Sequence, residues 1–273
     1  MSVAILEAAG LEAPRFDSQC LMENFLKISK AEILAAREIS CAEESLERFE
    51  RAVQKRADGY PLQYILGSWD FFGERFYVGE GVLIPRPETE LLAEAARKFL
   101  HGRKNAAVAD LCSGSGCIAI TLAKAFPDAQ VYAVELSGAA FAYLEKNIKL
   151  HKVQNVRAIR ADALDPGTAG RFKNIDCVVA NPPYVPSGEI GGLQREVSYE
   201  PEEALDGGED GLVFYRGIAP LWKTCLKSGG RLIFEVGAGQ AGDVKNIIKN
   251  NSFCDVDIIK DFGGIDRLVR GDV

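Results

Sequence analysis

Apolar residues in the first part of the chain recur with helical spacing. Leu46, Phe49 and Val53 are separated by three and four residues, which puts their side chains on one face of an α-helix. A serine followed three residues later by a glutamate can satisfy the free amide donors at a helix start. Two such pairs occur here: Ser29 with Glu32, and Ser40 with Glu43. We predict a domain of small helices over residues 1–67.

The pattern changes after Gly59-Tyr60-Pro61. The segment "FFGERFYVGEGV" places aromatic and β-branched residues around glycine-containing turns, which is typical of two short antiparallel strands. We predict a β-hairpin linker over residues 68–85.

From about residue 86, short β-branched runs such as "AAVADL", "QVYAVEL", "CVVA" and "RLIFEV" alternate with helical patterns such as "CIAITLAKAF". This alternation implies right-handed crossovers and a parallel sheet covered on both faces. We therefore predict an α/β domain over residues 86–273, with ligands at the carboxyl ends of its strands. Residues 185–211, rich in Gly, Glu and Pro, are predicted to form one long loop.

The composition is that of a globular protein, with 47% hydrophobic and 26% charged residues among 273. No stretch approaches the roughly 18 apolar residues of a membrane span. The N-terminus has neither a basic start nor a small-residue cleavage site, so we expect a cytoplasmic protein with no membrane partner. Seven cysteines without a Cys-x-x-Cys pair, and only two histidines, favour reduced thiols and no metal site.

The charge balance argues against a nucleic-acid partner. The net charge is −7, and residues 1–80 alone carry 9 Lys and Arg against 14 Asp and Glu, a net of −5. A protein that holds phosphate backbones is expected to show a basic surface instead. We expect no direct contact with nucleic acid, and we expect a monomer.

The segment "VADLCSGSGCIAITLA" predicts a strand, a turn of small residues and a helix. Gly114 and Gly116 allow backbone amides at a helix N-terminus to approach a ligand, and Glu135, at the end of the next strand, can accept the hydroxyls of a ribose. The spacing Gly114-x-Gly116-x-x-Ala119 also fits a dinucleotide site. A tight turn without any ligand is the third possibility.

Asp110 favours one of these alternatives. Its carboxylate ends the first strand of the domain, where it would repel a pyrophosphate and attract a cationic cofactor. S-adenosylmethionine carries an ammonium and a sulfonium and no phosphate. Here the sequence resembles the class I methyltransferases, in which an acid at a strand end is followed by Gly-x-Gly-x-Gly. Cys112 stands at the first glycine position, and because a residue with a Cβ avoids the left-handed region we expect a negative φ there.

The stretch "NIDCVVANPPYVP" places Asn181 after a further strand, so it should emerge at the same sheet edge as Gly114 and Glu135. An amide nitrogen is a poor nucleophile, so catalysis of its methylation must come from positioning. The Asn181 side-chain oxygen and the Pro182 carbonyl can each accept one N–H of a planar amide or arylamine and stabilise the charge growing on nitrogen. Proline holds its carbonyl on a rigid frame, and the Tyr184 ring can lie over the planar target. The alternative is a Pro-Pro turn with a surface tyrosine.

Seven segments together resemble the HemK/PrmC family, the N5-glutamine methyltransferases of peptide chain release factors. They are "PLQYILG", "FFGERFYV", "LIPRPETELL", "DLCSGSGCIAI", "NPPYV", "EPEEALDGGEDGL" and "FEVGAGQ". The resemblance covers nearly the whole chain. It implies an N-terminal helical domain that recognises the substrate, a hairpin linker, and a seven-stranded Rossmann-like sheet whose last strands form an antiparallel hairpin. It also implies S-adenosylmethionine as cofactor and, as substrate, the glutamine of the Gly-Gly-Gln loop of a class I release factor.

Site residues follow from the resemblance by position. It implies that the loop lines the methionine part of the cofactor, that Glu135 takes the ribose, and that Asp162 and Ala163 border the adenine. The expected cofactor-binding residues are Asp110, Cys112, Ser113, Gly114, Ser115, Gly116, Glu135, Asp162, Ala163 and Asn181. The expected substrate-binding residues are Asn181, Pro182, Pro183 and Tyr184, of which Asn181, Pro182 and Tyr184 are the expected catalytic residues. Leu83 and Ile84 are expected either to line the glutamine pocket or to belong to the core of the linker. Arg86 is expected either to pair with Glu88 or Glu90, or to contact the substrate.

Three other functions share part of this sequence pattern. An adenine N6 methyltransferase acting on nucleic acid shares the Asn-Pro-Pro-Tyr chemistry but requires a basic surface. A nicotinamide oxidoreductase shares the glycine turn but leaves Asn181 to Tyr184 without a role. A non-enzymatic binding module explains neither motif.

Overall fold

The computed structural model describes residues 1–35 and 40–273. The chain forms two compact units. The first comprises Met1–Ser68 together with Gln194–Tyr199, and the second comprises Trp69–Leu193 and Glu200–Val273. The hairpin that was predicted as a linker thus lies in the second unit, apart from its first residue, and a short stretch from the predicted long loop lies in the first.

The first unit is helical in its described residues. Its α-helices are α1 Ser2–Ala8, α2 Pro14–Leu21, α3 Lys30–Leu34, α4 Glu43–Ala57 and α5 Leu62–Leu66, and a π-helical turn continues α2 over Met22–Leu26. The capping box at Ser29 is confirmed: its amide and hydroxyl both donate to Oε2 of Glu32, at 2.9 and 2.6 Å. The second predicted box is wrong. Because α4 begins at Glu43 behind Ala42, Glu43 is its first residue and cannot reach back to Ser40 as the third would.

An ionic cluster lies in the interior of the first unit. Arg56 of α4 is 5% exposed and donates through Nε to Asp17 at 2.6 Å. Its Nη2 donates to Glu196 at 2.6 Å. A charge this deeply buried is tolerated only with partners, and here two carboxylates on distant parts of the chain supply them.

The predicted hairpin is confirmed, with β1 over Ser68–Phe71 and β2 over Glu74–Tyr77. Its two-residue turn, Phe72 and Gly73, has φ values of 55° and 74°, the left-handed conformation that matches the twist of a tight hairpin. Phe71 and Phe76 are buried in the core of the second unit.

The second unit contains a seven-stranded sheet in the order β5-β4-β3-β6-β7-β9-β8. Its strands are β3 Ala107–Leu111, β4 Gln130–Glu135, β5 Val156–Arg160, β6 Ile175–Ala180, β7 Leu226–Glu235, β8 Cys254–Lys260 and β9 Asp266–Asp272. The first five are parallel, while β9 runs antiparallel to β7 and to β8. The α/β class, the seven strands and the terminal antiparallel hairpin are therefore confirmed.

Helices cover both faces of the sheet. They are α6 Thr89–Leu100, α7 Cys117–Ala125, α8 Gly138–His151, α9 Pro166–Ala169, α10 Val213–Lys223 and α11 Ala241–Asn250. Every residue of β6 is buried. Val178 and Ala180 belong to one apolar cluster, with Trp222 of α10, whereas Cys177 and Val179 belong to the other, with Leu92 of α6. The continuous apolar run of this strand thus reflects burial on both sides.

The segment between β6 and α10 is irregular, as predicted. It contains three short 3-10 turns, Ser187–Gly192, Val197–Tyr199 and Glu202–Ala204. A single bridge joins Val185 to Asp206. Among the helices that the structure describes, none has the length and apolarity needed to cross a membrane.

Candidate active site

Three neighbouring strands deliver the candidate residues to one edge of the sheet. Leu111, the last residue of β3, pairs with Val134 of β4 on one side and with Ala180 of β6 on the other. The loop that follows β3, the end of β4 and Asn181 therefore meet, because the carboxyl ends of parallel strands lie together. The expectation that Asn181 shares an edge with Gly114 and Glu135 is confirmed.

A cleft opens at this edge, and most of the predicted residues line it. Its wall includes Cys112, Ser113, Gly114, Ser115, Glu135, Asp162, Ala163, Asn181 and Pro183, with Leu83 and Arg86. The other predicted residues are close by but not in the wall: Asp110, Gly116, Pro182, Tyr184 and Ile84. Sequence reasoning missed Thr89, Leu136, Glu203 and Phe214 in the wall. Thr89 and Glu203 lie inside "LIPRPETELL" and "EPEEALDGGEDGL", the segments that carried the resemblance.

The glycine loop is shaped by two glycines with different tasks. Gly116 has φ 81° and precedes α7, so the backbone conformation favours glycine, and a Cβ placed on it would lie 2.4 Å from Leu144 Cδ1 and displace that side chain. Gly114 has φ 54°, and a Cβ placed on it would meet no described atom within 4 Å. Space for a ligand is therefore left open above Gly114.

The prediction for Cys112 is wrong, because its φ is +56°. The residues after it are fixed by two backbone hydrogen bonds: Ser113 N donates to Val134 O at 3.1 Å and Gly116 N donates to Ser113 O at 2.8 Å. A non-glycine residue in the left-handed region is strained by about 1–2 kcal/mol. The loop thus keeps the glycine-type turn with a cysteine in it.

Glu135 is held rigidly beside the loop. Its Oε2 accepts from Gly114 N at 2.7 Å and its Oε1 accepts from Ser137 N at 2.8 Å. Burial raises the pKa of Glu135, and the backbone donors oppose that shift. Each carboxylate oxygen can accept more than one hydrogen bond, so acceptor capacity remains for ligand hydroxyls.

Asp110 lies beneath the loop and has no solvent exposure. Its Oδ2 accepts from Ala119 N at 3.0 Å, while Oδ1 has no partner among the described residues. Burial, reinforced by the charge of Glu135, raises the pKa of Asp110 to about 8. Burial therefore favours the protonated form of this carboxyl.

The Asn-Pro-Pro-Tyr segment leaves β6 as a tightly packed turn. Nδ2 of Asn181 donates to Oγ1 of Thr89 at 3.2 Å. Pro182 and Pro183 are buried, and Gln240 Nε2 donates to the carbonyl oxygen of Tyr184 at 2.8 Å. The Tyr184 ring packs against the apolar cluster of α10, and burial raises the pKa of its hydroxyl.

The segment before α6 is fixed by Glu200. The guanidinium of Arg86 pairs with Glu200 Oε1, and Ile84 N donates to Glu200 Oε2 at 3.0 Å. The expected partners of Arg86 were wrong: Glu90 instead accepts from Phe72 N at 2.7 Å, and Glu88 lies 3.8 Å from Arg267. Ile84 is buried linker core and Leu83 lines the cleft.

Two family models match the chain: the PrmC N-terminal domain over residues 2–67 and the methyltransferase small domain over residues 87–209. A release factor glutamine methyltransferase from Geobacter sulfurreducens is 40% identical over 268 residues, which are 97% of this chain and 92% of that protein. One from Thermodesulfovibrio yellowstonii is 38% identical over 256 residues, 93% of this chain and 90% of that protein. Among solved structures, a ribosomal protein L11 methylase from Lactobacillus delbrueckii subsp. bulgaricus has a TM-score of 0.51 and 19% identity, over 75% of this chain and 89% of that one. That last likeness shows a shared fold.

Proposed function

Because this chain belongs to the release factor glutamine methyltransferase family, we propose that it transfers the methyl group of S-adenosylmethionine to the side-chain amide nitrogen, N5, of a glutamine in the Gly-Gly-Gln loop of class I peptide chain release factors. The observation that carries the proposal is the position of Asn181. It stands in the wall of a cleft that also contains the glycine loop and Glu135, with its amide nitrogen engaged by Thr89.

The cleft fits the proposed cofactor in three respects. Gly114 leaves room above the loop. The Ser113 hydroxyl is buried and has no partner among the described residues, so it can bond to a polar group of a ligand. Glu135 can accept from ribose hydroxyls, and when ionised its carboxylate suits a cation. We propose that the cofactor is held by the loop Cys112–Gly116 together with Glu135, Asp162, Ala163 and Asn181. Asp110, which lies beneath the loop, is proposed to belong to the same cofactor site.

The protein's contribution to the chemistry is to orient the amide. The cofactor supplies a methyl group made electrophilic by its sulfonium. We propose that Asn181 Oδ1 and the Pro182 carbonyl oxygen accept the two N–H groups of the glutamine, which aims the nitrogen lone pair at the methyl carbon. Formation of the nitrogen–carbon bond would break the bond between the methyl carbon and sulfur, whose electron pair would stay on sulfur and leave a neutral thioether. The positive charge that then grows on the amide is stabilised by these acceptors. The surplus N–H proton is then lost to solvent.

Pro183 and Tyr184 complete the proposed substrate contacts. The Tyr184 ring packs against the core and does not line the cleft. Contact with the glutamine plane therefore requires the ring to turn or the substrate to reach deeper. Pro183 stands in the wall already.

The proposed partner is a class I release factor in the cytoplasm, approached by a monomer and without direct binding of nucleic acid. Adenine N6 in nucleic acid presents a similar planar nitrogen, but the net charge of −7 opposes binding to phosphate backbones.

Transfer of a labelled methyl group tests the proposal. The protein, labelled S-adenosylmethionine and purified release factor should give a labelled release factor whose mass increase maps to the Gly-Gly-Gln peptide. The Gln→Ala release factor is the control and should take no label. Label in DNA or RNA, or equal label in the Gln→Ala protein, would overturn the proposal.

A further inference from the structure

Two buried polar side chains stand behind Asn181. Thr89, the first residue of α6, and Glu235, the last residue of β7, are each 3% exposed. Asn181 Nδ2 donates to Thr89 Oγ1 at 3.2 Å. The Thr89 hydroxyl is close enough to the buried Glu235 carboxyl to oppose the rise in its pKa, and Glu235 Oε2 has no hydrogen-bond partner among the described residues. Ala180 pairs with Phe234 in the neighbouring strand, which brings the residues after them side by side.

The chemistry of these groups decides which of them donates and which accepts. A threonine hydroxyl has one proton to donate, and an ionised carboxylate can only accept. With Glu235 ionised, the Thr89 proton points to Glu235 and the hydroxyl lone pairs are left for the Asn181 amide nitrogen. Oδ1 of Asn181 is then left available to the substrate, and it accepts no hydrogen bond from the described residues.

We propose that Thr89 and Glu235 are positioning residues that hold the Asn181 side chain with its oxygen, not its nitrogen, presented to the substrate amide. The inference rests on the proposed function, in which Asn181 must accept an N–H. In the opposite orientation the Asn181 NH2 would face the substrate NH2, and neither can accept from the other.

Glu235 links this orientation to pH. Burial raises the pKa of Glu235 to about 7, with Glu88 acting in the same direction and Thr89, Arg267 and Arg86 opposing it. The titratable and charged groups near it come from several elements: Arg86, Glu88, Cys117, Tyr184, Tyr215 and Arg267. Once protonated, Glu235 can donate to Thr89, which frees the threonine proton for Asn181 Oδ1 and favours the reversed amide. Turnover should therefore fall as pH drops through about 7.

The first test compares Thr89→Val with Thr89→Ser in methylation of intact release factor. Valine keeps the shape but cannot hydrogen-bond, so kcat should fall about tenfold, the equivalent of one ordinary hydrogen bond, while KM for S-adenosylmethionine stays unchanged. Serine keeps the hydroxyl and should remain within about threefold of wild type. Thr121→Val is the matched control, since Thr121 is also buried in the unit but its hydroxyl has no described partner; it should leave kcat unchanged.

The second test follows the acidic limb of the pH–rate profile. Glu235→Gln cannot ionise, so its profile should lose the fall below about pH 7 that wild type shows. A limb that persists in Glu235→Gln, or equal kcat for Thr89→Val and wild type, would overturn the inference and leave methyl transfer by the wild type intact.

A readout that needs no turnover separates this inference from the proposed function. The side-chain NH2 signals of Asn181 can be assigned in an NMR spectrum by their loss in Asn181→Ala. They should titrate near pH 7 in wild type but not in Glu235→Gln, and they should shift in Thr89→Val but not in Thr121→Val. If the Asn181 signals do not respond in this way, Thr89 and Glu235 do not orient the Asn181 side chain. If the signals respond but the release factor takes no label, only the proposed substrate is wrong.

Discussion

Asn181 is the residue at which one substitution should separate cofactor binding from turnover. In Asn181→Ala the loop and Glu135 are untouched, so affinity for S-adenosylmethionine should stay within a small factor of wild type. Turnover should fall about a hundredfold or more, because an acceptor that acts in the transition state is lost. Calorimetric titration and single-turnover rates would measure the two quantities. Near-normal turnover would end the amide-acceptor hypothesis.

Asp110 should make the ligand-free protein less stable as pH rises. Its pKa is raised to about 8 by burial, whereas in the unfolded chain it is near 4. Stabilisation by the protonated carboxyl is complete below the unfolded value and is lost as pH rises through the folded one. Urea unfolding between pH 5 and 9 should show stability falling towards pH 8 more steeply in wild type than in Asp110→Asn. Parallel curves would contradict the assignment.

Most cleft residues at the ends of strands could be located from the sequence, although Leu136 was missed, and residues delivered by helices could not. Gly114, Glu135 and Asn181 each come after a β-branched run, so sheet topology alone places them together. Thr89 and Phe214 reach the cleft from the ends of α6 and α10, and such approaches depend on how the helices pack. The positive φ of Cys112 was also not predicted, because the preference of a residue with a Cβ points the other way and the surrounding loop is known only from the structure.

At the scale of elements, the pair formed by Arg86 and Glu200 ties the segment before α6 to the segment before α10. The Glu200 side chain is 2% exposed and that of Arg86 is 32% exposed. Arg86→Ala leaves the buried carboxylate of Glu200 without its cationic partner and should lower the free energy of unfolding by about 3 kcal/mol or more. Glu200→Gln leaves a cation that water can reach, and should cost about 1–2 kcal/mol.

The double variant Arg86→Ala with Glu200→Gln is the control for this pair. Its loss of unfolding free energy should be smaller than the sum of the losses in the single variants, because no unpaired buried charge remains. Denaturant unfolding of the four proteins measures the coupling. Additive losses would mean that the pair does not join the two segments.

Element types were easier to predict than element ends. The alternation of strands and helices after residue 86 reflects burial on both faces of a sheet, a strong signal that runs through the whole unit. Ser29 and Ser40 have the same local signature, yet only Ser29 caps a helix. A capping pair supplies roughly 1 kcal/mol, which is too little to set a helix start against packing.

At the scale of the whole molecule, the acidity of the first 80 residues is the feature without a structural explanation. Residues 1–80 carry a net charge of −5, and we propose that they recognise the release factor and steer it by its basic surface. Glu47→Gln with Glu50→Gln, both exposed on α4, should lower kcat/KM for intact release factor roughly threefold at low salt, with the difference vanishing at high salt.

Exposed acids on the second unit supply the control for steering. Asp128→Asn with Glu145→Gln removes the same charge and should have little effect, and a free Gly-Gly-Gln peptide should be insensitive to both pairs. Equal effects of the two pairs would point to net charge alone. If neither pair of substitutions changes kcat/KM, electrostatic steering does not contribute to recognition.

The short segment Gln194–Tyr199 has a consequence for the order in which this protein can be made. Glu196 is a partner of buried Arg56, and the Tyr199 ring lies 5.1 Å from that of Tyr60. A ribosome adding about 5–20 residues each second needs roughly 6–25 s to pass from Ser68 to this segment. Throughout that interval the nascent helices lack their last piece, so the N-terminal unit can be completed only after Trp69–Leu193 of the second unit has been made. Folding of the N-terminal unit therefore waits for synthesis of more than half of the second unit, and an N-terminal fragment ending near Ser68 would lack a partner of Arg56.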